Sequence, residues 1–505
     1  VVVLVAVMFL AHFAKKGFRC AVRLEAFMAF LTAVLIIVNS ICYGPMYANV
    51  SGFLNASKAE FSEETIQQSK DTIEKVGEEG MVLVKNDGLL PLSSDVTNLN
   101  VFGWDSTCPI YGGTGSAGSH SDGNVSILQS LQDAGYKTNE TLSNMYTEYC
   151  AERPTISMSA QDWSLPEPNM KHYTDDIMNE AKDFSDTAMV VLGRPGGEGA
   201  DLPTNMSAVI NGTYNQGLAT SNAPANWRYM NATYTNNGSY DDFEEGESYL
   251  EPSVTEEQLI EKVCSEFDNV IVVINANNTM ELDWVDNYEQ IKSVILAPGA
   301  GETGFTALGE ILNGTVNPSG KTADTYVKNL LSTHYINNIG NFPYTNVDDL
   351  KAQALAADSS YKGNVSFVNY VEGIYVGYKF YETAAEEGLI DYESSVQYPF
   401  GYGLSYTTFD KTMTNFKDNG DTVSFDVEVT NTGDVAGKDV VEVYYTPPYT
   451  NGGIEKASVN LVQFEKTETL EPGKSQTLSF EIAKEDMASY DSDEIKVAGG
   501  GYILE

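Results

Sequence analysis

From about Phe61 onward, amphipathic stretches of helix length alternate with short apolar runs, and this alternation predicts an α/β fold with a mostly parallel sheet. Ser62 stands at an N-cap position ahead of an acidic first turn, Glu63 and Glu64. Ile66, Ile73 and Val76 mark an inward face, and the pattern stops near Gly80 before a strand over 81–84. Further strands are predicted over 99–102 and 189–192, with a helix over 125–134 closed by Gly135. Thr255 and Gln258 fit a capping box ahead of a helix through Val263 and a strand over 270–274. The unit then repeats as a strand over 294–296 and a helix over 302–312 that Gly314 stops. Between 192 and 255 lies a long stretch rich in Asn, Tyr and Gly, a candidate rim for a binding site.

After about Thr407 the period changes to two. Val423, Phe425, Val427 and Val429 line one strand face, Val441 and Val443 another, and Leu478, Phe480 and Ile482 a third, with turns at Asn431-Thr432-Gly433 and Pro472-Gly473. This pattern predicts a small antiparallel β-sandwich of the immunoglobulin or fibronectin kind. At the other end, an apolar run over 1–14 and a second over 26–43 flank Lys15, Lys16, Arg19 and Arg23. The second run is close to a membrane-crossing length, and the positive-inside rule makes the basic linker cytoplasmic and everything after about Gly44 external. The competing reading is a cleaved signal peptide, since Asn39 and Ser40 weaken the span and small residues follow it.

Composition narrows the chemistry. The chain has 505 residues, and its 71 Asp+Glu against 29 Lys+Arg give a formal charge of -42, which repels polyphosphates and argues against nucleic acid as a partner. The 5 cysteines show no paired spacing, and the 4 histidines are scattered, so neither a metal site nor a cofactor is expected. Carboxylates are left as the acid-base groups.

Several segments carry a family likeness: EGMVLVKNDGLLPL (79–92), GGTGSAG (112–118), PGAGETGFTALGEILNG running into NPSGKTADTY (317–326), VEGIYVGYKFYE (371–382) and YPFGYGLSYTTF (398–409). In this order they resemble glycoside hydrolase family 3. VEVTNTGDVAGKDVVEVYYTPPY and LEPGKSQTLSFEI similarly resemble the fibronectin III-like domain that accompanies that family. The hydrophobic runs give a membrane anchor of one or two segments over 1–47, and the resemblance implies an α/β sandwich domain over 60–345, a connecting segment over 346–406 and a fibronectin III-like domain over 407–505. Most members also carry a (β/α) barrel whose Asp is the nucleophile. No barrel-length run of about 250 residues precedes the α/β domain here. The sequence reads as cut at both ends, with the barrel expected beyond Glu505 as in members of swapped domain order.

The likeness also carries residue assignments. Glu198, in GRPGGEGAD after the predicted strand 189–192, matches the family's general acid/base. It lies at the carboxyl end of a parallel strand, where open α/β sheets place ligands. A retaining glycosidase needs a protonated carboxyl group beside a carboxylate nucleophile about 5 Å away, so burial and that neighbour are expected to raise the Glu198 pKa. Asp201 fits the acidic position just after the Glu, whereas Leu202 stands where Arg is often found. By the resemblance Ser116 reaches the substrate or helps position the acid loop; the alternative is that it simply closes a tight turn. Trp227 and Tyr229 are candidates for stacking on sugar faces, and Trp284 reads as core. The function implied is hydrolysis of a terminal β-linked sugar, of the β-glucosidase type, by a retaining mechanism, with β-xylosidase and β-N-acetylhexosaminidase as the nearest alternatives. The substrate is then an oligosaccharide or β-glycoside, and the expected location is the cell membrane with the catalytic part extracytoplasmic. The rival from another class is a non-catalytic extracellular carbohydrate-binding or adhesion protein.

Overall fold

The computed structural model describes residues 9–13, 15–44, 61–119, 123–151, 161–198, 202–214, 242–336, 346–359 and 369–489, with a few single or paired positions between them. It forms two compact units, Val1–Gln68 and Ser69–Glu505. In the first, helix α1 (Arg19–Cys42) has a mean hydropathy of 2.2 and no buried residue, and by length and composition it can cross a membrane. Most of the apolar run over 1–14 lies outside the described residues.

Helix α2 (Glu63–Gly80) begins where Ser62 Oγ accepts the Thr65 N–H at 3.1 Å, as its sequence position predicts. Of its expected inward face, Ile73 is half-buried, 3.7 Å from where a Cβ on Gly301 would stand, whereas Val76 is exposed. The close approach is made by Gly77, where a Cβ would stand 2.4 Å from the Gly304 carbonyl oxygen, so a side chain's absence sets the docking face.

In the second unit, β1 (Val82–Asn86), β2 (Asn98–Phe102), β3 (Lys137–Thr138), β4 (Thr187–Arg194), β5 (Asn269–Ala276) and β6 (Ile291–Leu296) form one sheet in the order β1-β6-β5-β4-β2-β3. All neighbours are parallel except β1, which runs antiparallel to β6, so the sheet is mixed. Every residue of β4 is buried. Met189 and Val191 join the core with α3 (Ile127–Asp133) and α7 (Thr306–Asn313); Val190 and Leu192 join the opposite core with α4 (Glu140–Cys150), α5 (Asp175–Phe184) and α6 (Val254–Glu266). Each such aliphatic side chain contributes roughly 1.5–3 kcal/mol on burial, which makes the central strands the main source of cohesion. From β2 the chain first steps outward to β3 and then returns to place β4 on the other side of β2, so the strand order reverses between β2 and β4.

The capping box of α6 is Ser253 with Glu256, two residues ahead of the expected pair: Ser253 Oγ accepts the Glu256 N–H at 3.2 Å, and Glu256 Oε2 accepts the Ser253 N–H at 2.9 Å. Thr255 fits the same pattern, but its hydroxyl is turned to Asp242 at 2.5 Å.

Beyond a short pairing of Tyr326–Val327 with Val396–Tyr398, the chain enters two antiparallel sheets. One is β7 (Phe409–Asp418), β8 (Thr422–Asn431) and β11 (Ser475–Ala483); the other is β9 (Val440–Tyr445) with β10 (Asn460–Lys466). Phe425, Val427, Val429, Val441, Leu478, Phe480 and Ile482 share their core, as the two-residue alternation predicts. Residues 490–505 lie outside the description. The sandwich is tied to the α/β layers by Asn317, whose Oδ1 accepts from Ser405 Oγ and Tyr406 N at 2.8 Å and whose Nδ2 donates to the Ala436 carbonyl at 3.0 Å. A second tie is Glu79, in the last turn of α2, which receives Lys438 and Lys466.

Two predictions test these contacts. A Cβ on Gly309 of α7 would stand 2.3 Å from the Ser130 carbonyl oxygen. Gly309→Ala should therefore lose about 1–3 kcal/mol in urea unfolding, while Gly80→Ala, with open space around it, should be neutral within about 0.5 kcal/mol. For Glu79, burial opposes ionisation, but the two lysines outweigh it and hold the carboxyl below its ordinary 4.5. A depressed folded pKa stabilises fully above the unfolded value and ceases to as pH falls through the folded one. Glu79→Gln should melt earlier than wild type at pH 7, and the two melting temperatures should converge as the pH falls through the lowered folded pKa.

Candidate active site

β4 ends at Arg194, and the chain leaves the sheet through Pro195, Gly196 and Gly197 to reach Glu198. The neighbouring strand β2 ends at Phe102 and leads, through the turn Trp104–Ser106, to the 112–118 glycine loop. Both loops thus emerge at the carboxyl edge of the sheet where strand order reverses, the position at which a crevice opens between diverging connections. They interlock through backbone. Gly197 has φ 147 and a Cβ there would stand 2.1 Å from Thr114 N; Gly115 has φ 63 and its Cβ would stand 2.5 Å from Glu198 Oε2. A larger residue at Gly197 would separate the loops, and one at Gly115 would strain the backbone and displace the Glu198 side chain.

Three hydrogen bonds join them. Thr114 Oγ1 donates to the Glu198 carbonyl at 2.6 Å, and Ser116 donates to Glu198 Oε2 twice, from its backbone N–H at 3.1 Å and from its hydroxyl at 2.8 Å. Ser116 and Glu198 are both exposed. The Ser116 hydroxyl, followed by its N–H, stabilises the carboxylate and holds the Glu198 pKa below its ordinary value. The direction is opposite to that expected from sequence, because at this exposed position the two Ser116 donors outweigh the small desolvation that opposes ionisation of Glu198.

Beneath the loops the polar groups are buried and satisfied. Asn275 near the end of β5 accepts the Ile110 N–H at 2.6 Å and donates to the carbonyls of Ile110 at 3.2 Å and Ala297 at 2.7 Å, which fixes the approach to the 112–118 loop. Glu167 accepts from Trp104 N at 2.8 Å and Tyr173 OH at 2.5 Å, and burial pushes its pKa up to about 8. A cleft of about 600 Å³ opens beside this region at the ends of β5 and β6, lined among others by Leu202, Asn277, Asn278, Pro298 and Tyr326.

Of the residues singled out from sequence, Glu198 and Ser116 meet directly. Asp201, Trp227 and Tyr229 lie outside the described residues. Trp284 is partly buried against the core, its indole N–H donating to the Glu281 carbonyl at 3.0 Å. Among the described residues no group of three or more His, Cys, Asp and Glu could hold a metal ion. Sequence reasoning missed Thr114, Asn275 and Arg194. Thr114 and Arg194 sit inside the quoted motifs GGTGSAG and GRPGGEGAD, whereas Asn275 has only the weak signal of a polar residue in an otherwise apolar strand.

Residues 81–406 match the glycosyl hydrolase family 3 C-terminal domain, and residues 439–505 match a fibronectin type III-like domain. Beta-glucosidase A of Butyrivibrio fibrisolvens is 30% identical over 452 residues, covering 85% of this chain and 47% of its own length. A beta-glucosidase of Ruminococcus albus is 30% identical over 425 residues, covering 83% of this chain and 36% of its own. Among solved structures, beta-glucosidase 3B from Thermotoga neapolitana in complex with glycerol superposes with a TM-score of 0.62 at 27% identity, covering 84% of this chain and 50% of that one. The chain therefore spans about half or less of the length of these relatives. On the match across 81–406 and the likeness of its sheet domain to these proteins, the chain belongs to glycoside hydrolase family 3.

Proposed function

We propose that this chain supplies the general acid/base, Glu198, of a retaining β-glycosidase acting on terminal β-linked sugars, of β-glucosidase type. The observation that carries the reading is the exposed carboxylate of Glu198 held by two Ser116 donors where the strand order reverses. The nucleophilic Asp belongs, in this proposal, to a (β/α) barrel outside residues 1–505, in keeping with the fraction of its relatives' length that the chain spans. The working division is an anchor over 1–47, an α/β domain over 60–345, a connecting segment over 346–406 and a sandwich over 407–505. Helix α1 anchors the protein in this reading, with the catalytic part outside the cytoplasm. Asp201, three residues beyond Glu198, is proposed to contact substrate.

In the chain described here Glu198 favours the ionised state, since Ser116 donates to it and solvent surrounds it. A barrel closing over the loop removes that solvent and brings a second carboxylate about 5 Å away, and both effects raise the pKa. Glu198 then protonates the leaving oxygen and, once the glycosyl-enzyme has formed, deprotonates the attacking water.

Two experiments on protein expressed from the full reading frame test this. Glu198→Ala should lower kcat/KM for β-glucosides with poor leaving groups by about 10²–10⁴, with partial rescue by azide. Equal rates in variant and wild type would remove Glu198 from the mechanism, and an absence of hydrolysis across a panel of glycosides would favour a carbohydrate-binding protein instead. Ser116→Ala removes the largest influence lowering the Glu198 pKa, so the basic limb of the kcat/KM profile should move to higher pH. An unmoved limb would show that Ser116 does not set this proton equilibrium.

A further inference from the structure

Arg194, the last residue of β4, is fully buried, and all five of its N–H groups are used. Nε donates to the Tyr249 carbonyl at 2.7 Å. Nη1 donates to the Gly193 carbonyl at 2.9 Å and to Glu256 Oε1 at 2.8 Å. Nη2 donates to the Glu251 carbonyl at 2.7 Å and to Glu256 Oε2 at 2.5 Å. The guanidinium also lies 5.5 Å from the centre of the Tyr249 ring. Glu256, equally buried, completes the α6 capping box with the same carboxylate.

The partners matter more than the ion pair itself. Glu198 lies between Arg194 and Pro203, and both are tied to one residue: Tyr249 accepts from Arg194 Nε through its carbonyl, and its N–H donates to the Pro203 carbonyl at 3.0 Å. A further bond from Met206 N to the Glu247 carbonyl at 2.7 Å holds the same segment alongside the outgoing chain. The stretch carrying Glu198 thus has both ends pinned on the backbone of Tyr249, and Arg194 fixes that backbone to the end of β4 and to the start of α6. A buried pair of this kind adds little net stability over apolar replacements, because desolvation offsets the attraction. Orienting a loop is what its planar donor set does that an apolar pair cannot.

We propose that Arg194, held by Glu256, is a positioning residue for the acid/base Glu198, acting through Tyr249 on both ends of its loop. The inference rests on the role assigned to Glu198 above. Its test uses leaving groups, because an activated aryl group departs without protonation and a poor one does not. Loss of either charge alone leaves the other buried and risks the fold, so the variant of choice is R194M/E256Q, which removes the pair together while leaving an oxygen to accept the Ser253 N–H. In protein from the full reading frame, kcat/KM for an unactivated phenyl glycoside should fall about a hundredfold, while that for a 2,4-dinitrophenyl glycoside should change less than about threefold. Hydrogen exchange should quicken at Gly196, Gly197 and Glu198 while residues 189–192 of β4 keep their protection. Equal losses on both substrates, no loss on either, or unchanged exchange in the loop would overturn the proposal. Glu198→Ala measured beside it separates the two ideas: if that variant shows no leaving-group split, the acid/base reading fails; if it shows the split and R194M/E256Q does not, only the role of Arg194 fails.

Discussion

A parallel strand covered on both faces meets solvent only at its ends, and that constraint organises this molecule. β4 is buried at every position, with alternate side chains committed to two different cores, so no residue along it is free for chemistry. The first positions available are those just past its carboxyl end, and there the chain order has turned β2 the other way, which keeps the space between the two exits open. The location of Glu198 follows from sheet topology before any side-chain preference is considered.

Topology leaves an opening but does not hold a carboxylate still. That depends on close approach, of backbone to backbone at Gly197 and of backbone to the Glu198 side chain at Gly115, which both glycines permit through positive φ and the absence of a Cβ. The same device recurs where layers meet, at Gly77 against Gly304 and Gly309 against Ser130. Under the interlocked loops the protein has placed buried polar groups, Asn275, Glu167 and Arg194, each with its hydrogen bonds made. Such groups contribute little to net stability, but an arrangement that breaks several bonds at once is costly, so they favour one geometry over its neighbours.

The parts of this arrangement that rest on local pattern were legible in the sequence. Apolar runs marked β2, β4, β5 and β6, Ser62 and Gly314 marked helix ends, and the two-residue period located the sandwich core of Phe425, Val427 and Val429. Features decided by distant partners were not. Ser253 and Thr255 are equally good cap residues on local grounds; Asp242 and Arg194, each remote in sequence, decide between them. The inward face of α2 was legible at Ile73 but not at Val76, which is exposed, and the closest contact is made by Gly77, which apolar spacing does not mark. The pairing of Ser116 with Glu198 joins residues 82 apart, and only the family likeness brought them to notice together.

The charge state of Glu198 separates what a site is from what it becomes. Its carboxylate is stabilised by donors from Ser116 and by exposure, a combination suited to an acceptor and poorly suited to an acid. Glu167, a short distance below in the fold, shows the opposite case in the same protein: burial lifts its pKa to about 8 even though Tyr173 and Trp104 donate to it. Desolvation therefore outweighs two hydrogen bonds when it is complete. Applied to Glu198, the comparison means that the Ser116 contacts do not by themselves forbid a protonated state, since loss of solvent acts against them. Exposure and the two Ser116 donors therefore make the ionised form the resting one, and removal of solvent or the approach of a negative charge is what would shift it toward the proton-bearing form.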